Sequence, residues 1–301
     1  RPDQPELVRV ETDSPEGVPT PVFGSARQAT ESLARAAGRT AWLDRPPRRT
    51  HDPADLPGFD IARARLLVAD FLAEHPDGGW LDPEQAAALL STTGVRPEPL
   101  RLVRSAEEAA AAAREFAGPV AVKAYGPNLL HKRHAGALVL GVDGGPHAWQ
   151  VYADLAARHA DGMHGAVVQP MVGGDLELLV GVNSDSVFGP VIAFGLGGTE
   201  ADALADRVVR LAPLDVTGAG EMLRGIRAAR VLDSAADGGP VDIAALQDLL
   251  VRVSLLADRV PELADMDLNP VLARRDGFAL VDVKVRLCPR QAYDPFLRRL
   301  R

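Results

Sequence analysis

The segment MDLNPVLARRDGFALVDVKV, residues 266–285, constrains the fold more than any other. Two runs of alternating apolar and polar residues flank Asp276-Gly277, a two-residue turn signal, which predicts an antiparallel hairpin. Upstream, the strand-like runs VAVKAY (120–125), AVVQP (166–170), DLELLVGVN (175–183) and PVIAFGL (190–196) alternate with helical periodicities. Hairpins mixed with helices indicate an α+β arrangement rather than a doubly wound parallel sheet.

With Asp276 and Gly277 as the loop, Asn269 would face Lys284 and Val271 would face Asp282. Side-chain alternation then puts Asp267, Asn269, Asp282 and Lys284 on one face. Diagonal neighbours on such a face lie roughly 7–8 Å apart, within reach of one ion held by two short oxygen-bearing side chains. Carboxylate and amide oxygens suit Mg²⁺, which completes its shell with water and phosphate. A solvated polar face on an edge hairpin accounts for the same spacing.

Helix signals are local and clear. Asp82 is a predicted N-cap with Pro83 at the first helical position and Gly94 as the stop. Ser105 and Glu108 form an S-x-x-E capping box before an alanine-rich helix. Further helices are expected over SARQATESLARAAGRTAWL (25–43), IARARLLVADFLAEH (61–75), HAWQVYADLAARHA (147–160), GEMLRGIRAARVL (220–232) and DIAALQDLLVRVSLLADRV (242–260), and a strand around 7–10.

The composition narrows the function classes. The 301 residues are 47% hydrophobic, enough for more than one core. A net charge of −8 leaves no basic excess to displace counterions from nucleic acid. No apolar run is long enough to span a bilayer. The single cysteine, Cys288, excludes a disulfide framework within the chain and fits a cytoplasmic location. The opening RPDQPELVRV is not a signal peptide and lacks a starting Met, so the chain reads as a piece of a longer protein.

Three features carry phosphate chemistry as one of two readings. FGLGGT (194–199), with Gly195, Gly197 and Gly198, is either a plain turn or a loop whose N–H groups approach phosphate. It has neither the Gly-Lys-Ser/Thr of a Walker A loop nor dinucleotide-binding spacing. Lys123, inside an apolar strand, either snorkels to water at an edge or aims its charge at a phosphate. HKRH (131–134) is either a basic surface loop or presents His131 as a phosphoryl acceptor.

Together, PVAVKAYGPNLLHKRHAG (119–136), VVQPMVGGDLELLVGV (167–182), FGPVIAFGLGGTEADALADRVVRLAPL (188–214) and ADMDLNPVLARRDGFALVDVKV (264–285) resemble the ATP-grasp part of NDP-forming acyl-CoA synthetases. The resemblance runs from about Leu81 to Leu287. It implies an ATP-grasp fold, two α+β lobes clasping a nucleotide, with ATP or ADP and Mg²⁺ as ligands. Residues 1–50 resemble the C-terminal piece of a succinyl-CoA ligase-like domain. Residues 51–80 would be linker and helix, 81–166 the first lobe, 167–290 the nucleotide and metal lobe, and 291–301 a tail. The ending YDPFLRRLR resembles that of proteins in which a GNAT acetyltransferase domain, including protein lysine acetyltransferases, is fused to such ligase-like domains.

By that resemblance Lys123 contacts nucleotide phosphates and His131 is a phosphoryl carrier. Gln169, Pro170, Met171 and Val172 form the adenine hinge, Glu177 is the acidic residue after it, and Asn269 and Asp282 ligate magnesium. The implied partners are the nucleotide, the preceding CoA-binding and succinyl-CoA ligase-like domains of the same protein, and a fused GNAT domain. Departures cluster in the carrier loop: Arg133, His134, Gly136 and Ala137 stand where the family has Ser-Asp and two glycines. Ala236-Asp237 replaces an Arg-Gly pair, and Asp202 and Ala205 replace a common Glu and Lys. The resemblance therefore implies a nucleotide-binding module, either regulatory for an attached acetyltransferase or active in ADP-forming acyl-CoA ligation. The fragment alone is expected to be inactive, because the CoA-binding domain and the first phosphohistidine lie outside it.

Overall fold

The computed structural model describes residues 23–44, 51–126, 129, 136–174, 176–198, 206–233 and 241–289. The chain divides into two compact units, Arg1–Arg49 and Thr50–Arg301. In the first, the described residues form α1 (Ala26–Leu43), as the sequence predicts. The strand expected around residues 7–10 lies outside the described residues.

The second unit holds two antiparallel sheets. The smaller has the order β2 (Arg101–Val103), β5 (Gly165–Pro170), β3 (Val120–Tyr125), β4 (Leu138–Val142). Helix α4 (Ala106–Glu115) buries an alanine-rich face against it, and α5 (Gly144–Arg158) buries Gly145, Ala148, Val151 and Leu155. The larger sheet runs β1 (Gly79–Trp80), β11 (Val283–Leu287), β9 (Leu263–Arg274), β6 (Leu176–Asp185), β7 (Gly189–Leu196), β8 (Arg207–Leu211), with β10 (Gly277–Leu280) also on β9. One face of it packs on the apolar side of α8 (Ile243–Arg259), where Leu178, Ile192, Phe194, Leu249 and Leu250 are fully buried. The α+β architecture with antiparallel sheets is the one expected from the mixed signals.

Helix α3 (Pro83–Ser91) carries the reciprocal capping box: the Asp82 carboxylate accepts from the Gln85 N–H, and Gln85 Oε1 accepts from the Asp82 N–H. Ser105 caps α4, but the Glu108 carboxylate accepts from the Arg104 N–H rather than completing the box on Ser105. The single helix expected over 220–232 is two, α6 (Val216–Gly225) and α7 (Ala229–Asp233), separated by an extended Ile226. The break has a cause the local sequence does not show. Asp206, distant in the chain, accepts the N–H groups of Arg227 and Ala228 at 2.7 and 2.8 Å, holding the connection out of helix.

The closing hairpin forms with a register different from the expected one. Gly277 pairs with Arg274, so the two loop residues are Arg275 and Asp276, and Gly277 opens β10 with φ 129°. Lys284 consequently faces Asp267, not Asn269, and Leu280 faces Val271. The glycine supplies the positive φ from the strand side of the turn, where an Asp-Gly signal read as the loop itself shifts the pairing.

Candidate functional site

Pro270 has no N–H and cannot donate to a ladder. The rungs of β9 stop at Leu268–Val283 and resume at Val271–Leu280, leaving residues 281–282 outside any strand. Asn269 and Asp282 lie in this gap, opposite one another in the register of the flanking rungs. The gap also turns the Val281 carbonyl toward the smaller sheet, where it accepts a hydrogen bond from Lys123 Nζ.

Lys123 is only 7% exposed, yet its ammonium group is well satisfied. Besides Val281 it donates to Gln169 Oε1 at 2.8 Å, and Gln169 Nε2 donates to the Glu98 carbonyl at 3.2 Å. Lys123, Gln169 and Asp282 thus line one cavity of about 20 Å³, walled by Val167, Val281 and Pro97. Lys123 sits in β3 beside β5, with Val167 directly across, so both predicted strand residues point into this cleft between the sheets. Its reading as an edge lysine snorkelling to water is excluded by its burial.

The face of the larger sheet turned away from α8 is ionic. Lys284 Nζ lies 3.6 Å from Asp267 Oδ2 and 4.0 Å from Asp282 Oδ2. One rung further, Arg286 Nε donates to Asp265 Oδ2 at 2.6 Å, and Asn183 Nδ2 donates to Asp265 Oδ1 at 2.7 Å. The Asp265 hydrogen bond raises the pKa of Arg286 further, against the effect of burial. This second row was missed in the sequence, although Arg286 and Asp265 follow Lys284 and Asp267 at the same two-residue alternation. Glu177 and Gly195 occupy the same face of β6 and β7, since their neighbours Leu178 and Phe194 are buried on the other.

The glycine loop is built against Glu177. The Gly197 N–H donates to the Glu177 carbonyl at 2.8 Å. Gly198 adopts φ 84°, and a Cβ there would stand 2.8 Å from Glu177 Oε2, so no larger residue fits without displacing the carboxylate. Across β7 and β8, a Cβ on Gly195 would meet the Asp206 carbonyl at 2.5 Å. In the stretch expected to form the hinge, Pro170 ends β5 after Gln169, and the Met171 N–H donates to the Pro119 carbonyl at 3.0 Å, with Val172 following. His131 lies outside the described residues.

Asp206 titrates abnormally. Burial raises its pKa, but the N–H groups of Arg227 and Ala228 and the Arg227 guanidinium together lower it further, and the net shift is downward. A lowered folded-state pKa stabilises the fold fully above the ordinary carboxylate range and loses that stabilisation as pH falls through the lowered value. Asp206→Ala should therefore flatten the acid-side decline of melting temperature below about pH 4, measured by circular dichroism from pH 7 to 3. An unchanged slope would mean that Asp206 carries none of the acid sensitivity.

The chain was compared with known proteins and structures. The profile of an ATP-grasp domain family matches residues 72–287. The Archaeoglobus fulgidus acetate–CoA ligase (ADP-forming) I is 35% identical over 214 residues, 70% of this chain and 31% of that protein. The beta subunit of acetate–CoA ligase (ADP-forming) I from Pyrococcus furiosus is 32% identical over 233 residues, 75% of this chain and 99% of the subunit. The chain thus spans about a third of the one-chain relative and nearly all of the separate subunit. Among solved structures, the Ca. Korarchaeum cryptofilum dinucleotide-forming acetyl-coenzyme A synthetase 1, in complex with coenzyme A, Ca-AMPCP and HgCl⁺, superposes with a TM-score of 0.69 at 30% identity, covering 74% of this chain and 99% of that one. A further structure of that protein, with coenzyme A and Mg-AMPPCP, gives a TM-score of 0.63 at 29% identity over the same shares. Among the described residues no helix is long and apolar enough to cross a membrane. Fold, family profile and a subunit-length relative agree, and the chain belongs to the ATP-grasp family, as an ATP-grasp domain like that of the beta subunits of ADP-forming acetate/acyl-CoA ligases.

Proposed function

We propose that this chain binds a magnesium nucleotide, ATP or ADP, in the cleft between its two sheets, as the nucleotide-handling module of an acyl-CoA synthetase-like protein. One observation carries the reading: buried Lys123 opens into the same cavity as Asp282, so a phosphate-binding cation and a metal-binding carboxylate converge from different sheets. Lys123 supplies a point charge for phosphate oxygens, held on line by Gln169. The adenine would be read by hinge backbone groups around Pro170 and Val172, because the Met171 N–H is already engaged. Gly195, Gly197 and Gly198 let the chain beside Glu177 approach the phosphates closely.

The donor set fits magnesium. Asp282 and Asn269 offer carboxylate and amide oxygens, and the Lys284 ammonium beside Asp267 and Asp282 already stands where a cation is stabilised. Asn269 and Asp282 would hold the ion, with Asp267 and Lys284 fixing the charge balance around them. A bound ion there neutralises phosphate charge. Everything else the cleft does is positioning by its own side chains.

The altered residues around Arg133, His134 and Ala137 favour a regulatory role, in which nucleotide or acyl-CoA occupancy is sensed for an attached protein lysine acetyltransferase domain. His131, Lys123 and the Asn269/Asp282 pair favour the second reading, phosphoryl transfer between ATP and a phosphohistidine in ADP-forming acyl-CoA ligation. Residues 1–50 would then be the end of a preceding ligase-like domain, 51–80 linker and helix, 81–166 and 167–290 the two lobes, and 291–301 the tail.

Calorimetric titration of the chain with ATP and ADP, with and without Mg²⁺, tests the common core. Magnesium is expected to tighten binding, and Asn269→Ala with Asp282→Ala should reduce the affinity in Mg²⁺ to that measured without it. No binding at millimolar nucleotide would overturn the proposal. In the full-length protein, release of CoA from acetyl-CoA dependent on ADP and phosphate would select turnover over sensing.

A further inference from the structure

In β11, Val285 and Leu287 are buried in the core, so Lys284 and Arg286 stand on the opposite face of the sheet, one row apart. The row of Arg286 balances its own charge. Arg286 donates to Asp265 from Nε and pairs with it through Nη2, and Asp265 also accepts from Asn183 Nδ2. The row of Lys284, next to the break in the ladder, is arranged differently. Its ammonium lies between two carboxylates, 3.6 Å from Asp267 directly across in β9 and 4.0 Å from Asp282. Lys284 and Asp282 are only 17% and 19% exposed, so water screens their charges weakly.

Asp282 therefore has one ammonium beside it and a second, that of buried Lys123, lining the same cavity. Two fixed positive charges converge on the carboxylate that would hold a metal ion. A free divalent ion entering there meets repulsion from both, and the protein offers few ligands to offset it. Among the described residues no three His, Cys, Asp or Glu side chains gather into a group that could hold a metal. Phosphate oxygens supply what is lacking, since they add ligands to the ion and negative charge opposite the two lysines.

We propose that Lys284 is a specificity-determining residue that admits a metal–phosphate complex and refuses the free ion, a role that rests on the magnesium-nucleotide reading above. Its ammonium holds the place beside Asp282 and yields it only when nucleotide phosphates arrive with the ion. Asp267 makes the exchange possible. Standing on the far side of Lys284, it keeps a partner for the ammonium when Asp282 turns to the metal, so no charge is stranded in a half-buried site.

Mn²⁺ serves as the probe, because oxygen ligands suit it as they suit magnesium. It is added to the whole chain without nucleotide, and the free ion is followed by electron paramagnetic resonance. Lys284→Met should tighten Mn²⁺ binding about tenfold, while Lys284→Arg, which keeps the charge, should stay within about twofold of the parent. Asp282→Ala added to Lys284→Met should cancel the gain, because the ion gained sits on Asp282. Lys284→Gln repeats the measurement with a polar side chain, and the variants are matched to the parent by circular dichroism. For the Mn²⁺–ATP complex the gain should be absent, with Lys284→Met binding it no more tightly than the parent. Unchanged free-ion affinity in both Lys284→Met and Lys284→Gln would overturn the proposal. Equal tightening by Lys284→Arg, or a gain that persists for Mn²⁺–ATP, would overturn it too. The free-ion measurement needs no nucleotide. A chain that binds Mg-ATP but shows no free-ion gain loses only the role of Lys284, whereas one that binds no nucleotide loses the site reading itself.

Discussion

Lys123→Met is expected to weaken ATP binding about 100-fold, both with and without magnesium, because a charge-assisted bond to phosphate is worth roughly 2–3 kcal/mol. Lys123 is buried between two sheets and bonded to Gln169 on β5 and to the Val281 carbonyl of the β10–β11 joint. Methionine keeps the length and apolar volume of the stem and removes only the charged head. The fold loses the bonds to Gln169 and Val281 but no longer buries an ammonium group, and these opposing effects should leave stability within about 1–2 kcal/mol of the parent. Affinity and stability therefore separate. A large loss of affinity with a nearly unchanged melting temperature supports a phosphate role. Unchanged affinity would make Lys123 a strut between the sheets and nothing more. Independence from magnesium distinguishes this loss from that of the Asn269/Asp282 pair.

Arg252→Ala is expected to cost about 3 kcal/mol of stability, because it strands buried carbonyls that a guanidinium now satisfies. Arg252 is 8% exposed on α8. Its Nε donates to Asp248 at 2.6 Å, and one terminal nitrogen donates to the Pro57 and Thr93 carbonyls at 2.9 and 2.6 Å. It therefore ties three separate segments together: the turn before α2 (Ile61–Glu74), the end of α3 and the core helix. Gly94, at φ 85°, is shaped around it, since a Cβ there would stand 2.7 Å from the guanidinium. For a unit of this size the loss corresponds to a fall in melting temperature of about 6–12 °C, measurable by calorimetry. Arg252→Lys keeps the charge but cannot reach all three acceptors and should recover only part of the loss. A change under about 1 kcal/mol for Arg252→Ala would show that water replaces the guanidinium at both carbonyls.

Much of the architecture was legible locally. Asp82-Pro83 with Gln85 fixes the start of α3, Ser105 that of α4, and the alternating runs fix β6, β7 and the closing hairpin. The α+β class and the position of the closing ribbon follow from these signals, because caps, turns and alternation are short-range chemistry. The reading of residues 169–172 as an adenine hinge, by contrast, rests on resemblance, and only the structure shows that the Met171 N–H is engaged by the Pro119 carbonyl.

What the sequence alone determined is the residues and their order: Lys123, the stretch 169–172 at the end of β5, the glycine-rich run 194–199, and Asn269 and Asp282 on the last ribbon. Only the tertiary structure decided how they meet. The hairpin register slid because Gly277 serves the strand rather than the loop, and Pro270 opened the ladder where Asn269 and Asp282 stand. The helix over 220–232 split because Asp206, far off in sequence, accepts the N–H groups at its middle. Each of these outcomes depends on a contact between distant segments, whose partner a local pattern cannot name, whereas the capping and turn preferences act within a few residues.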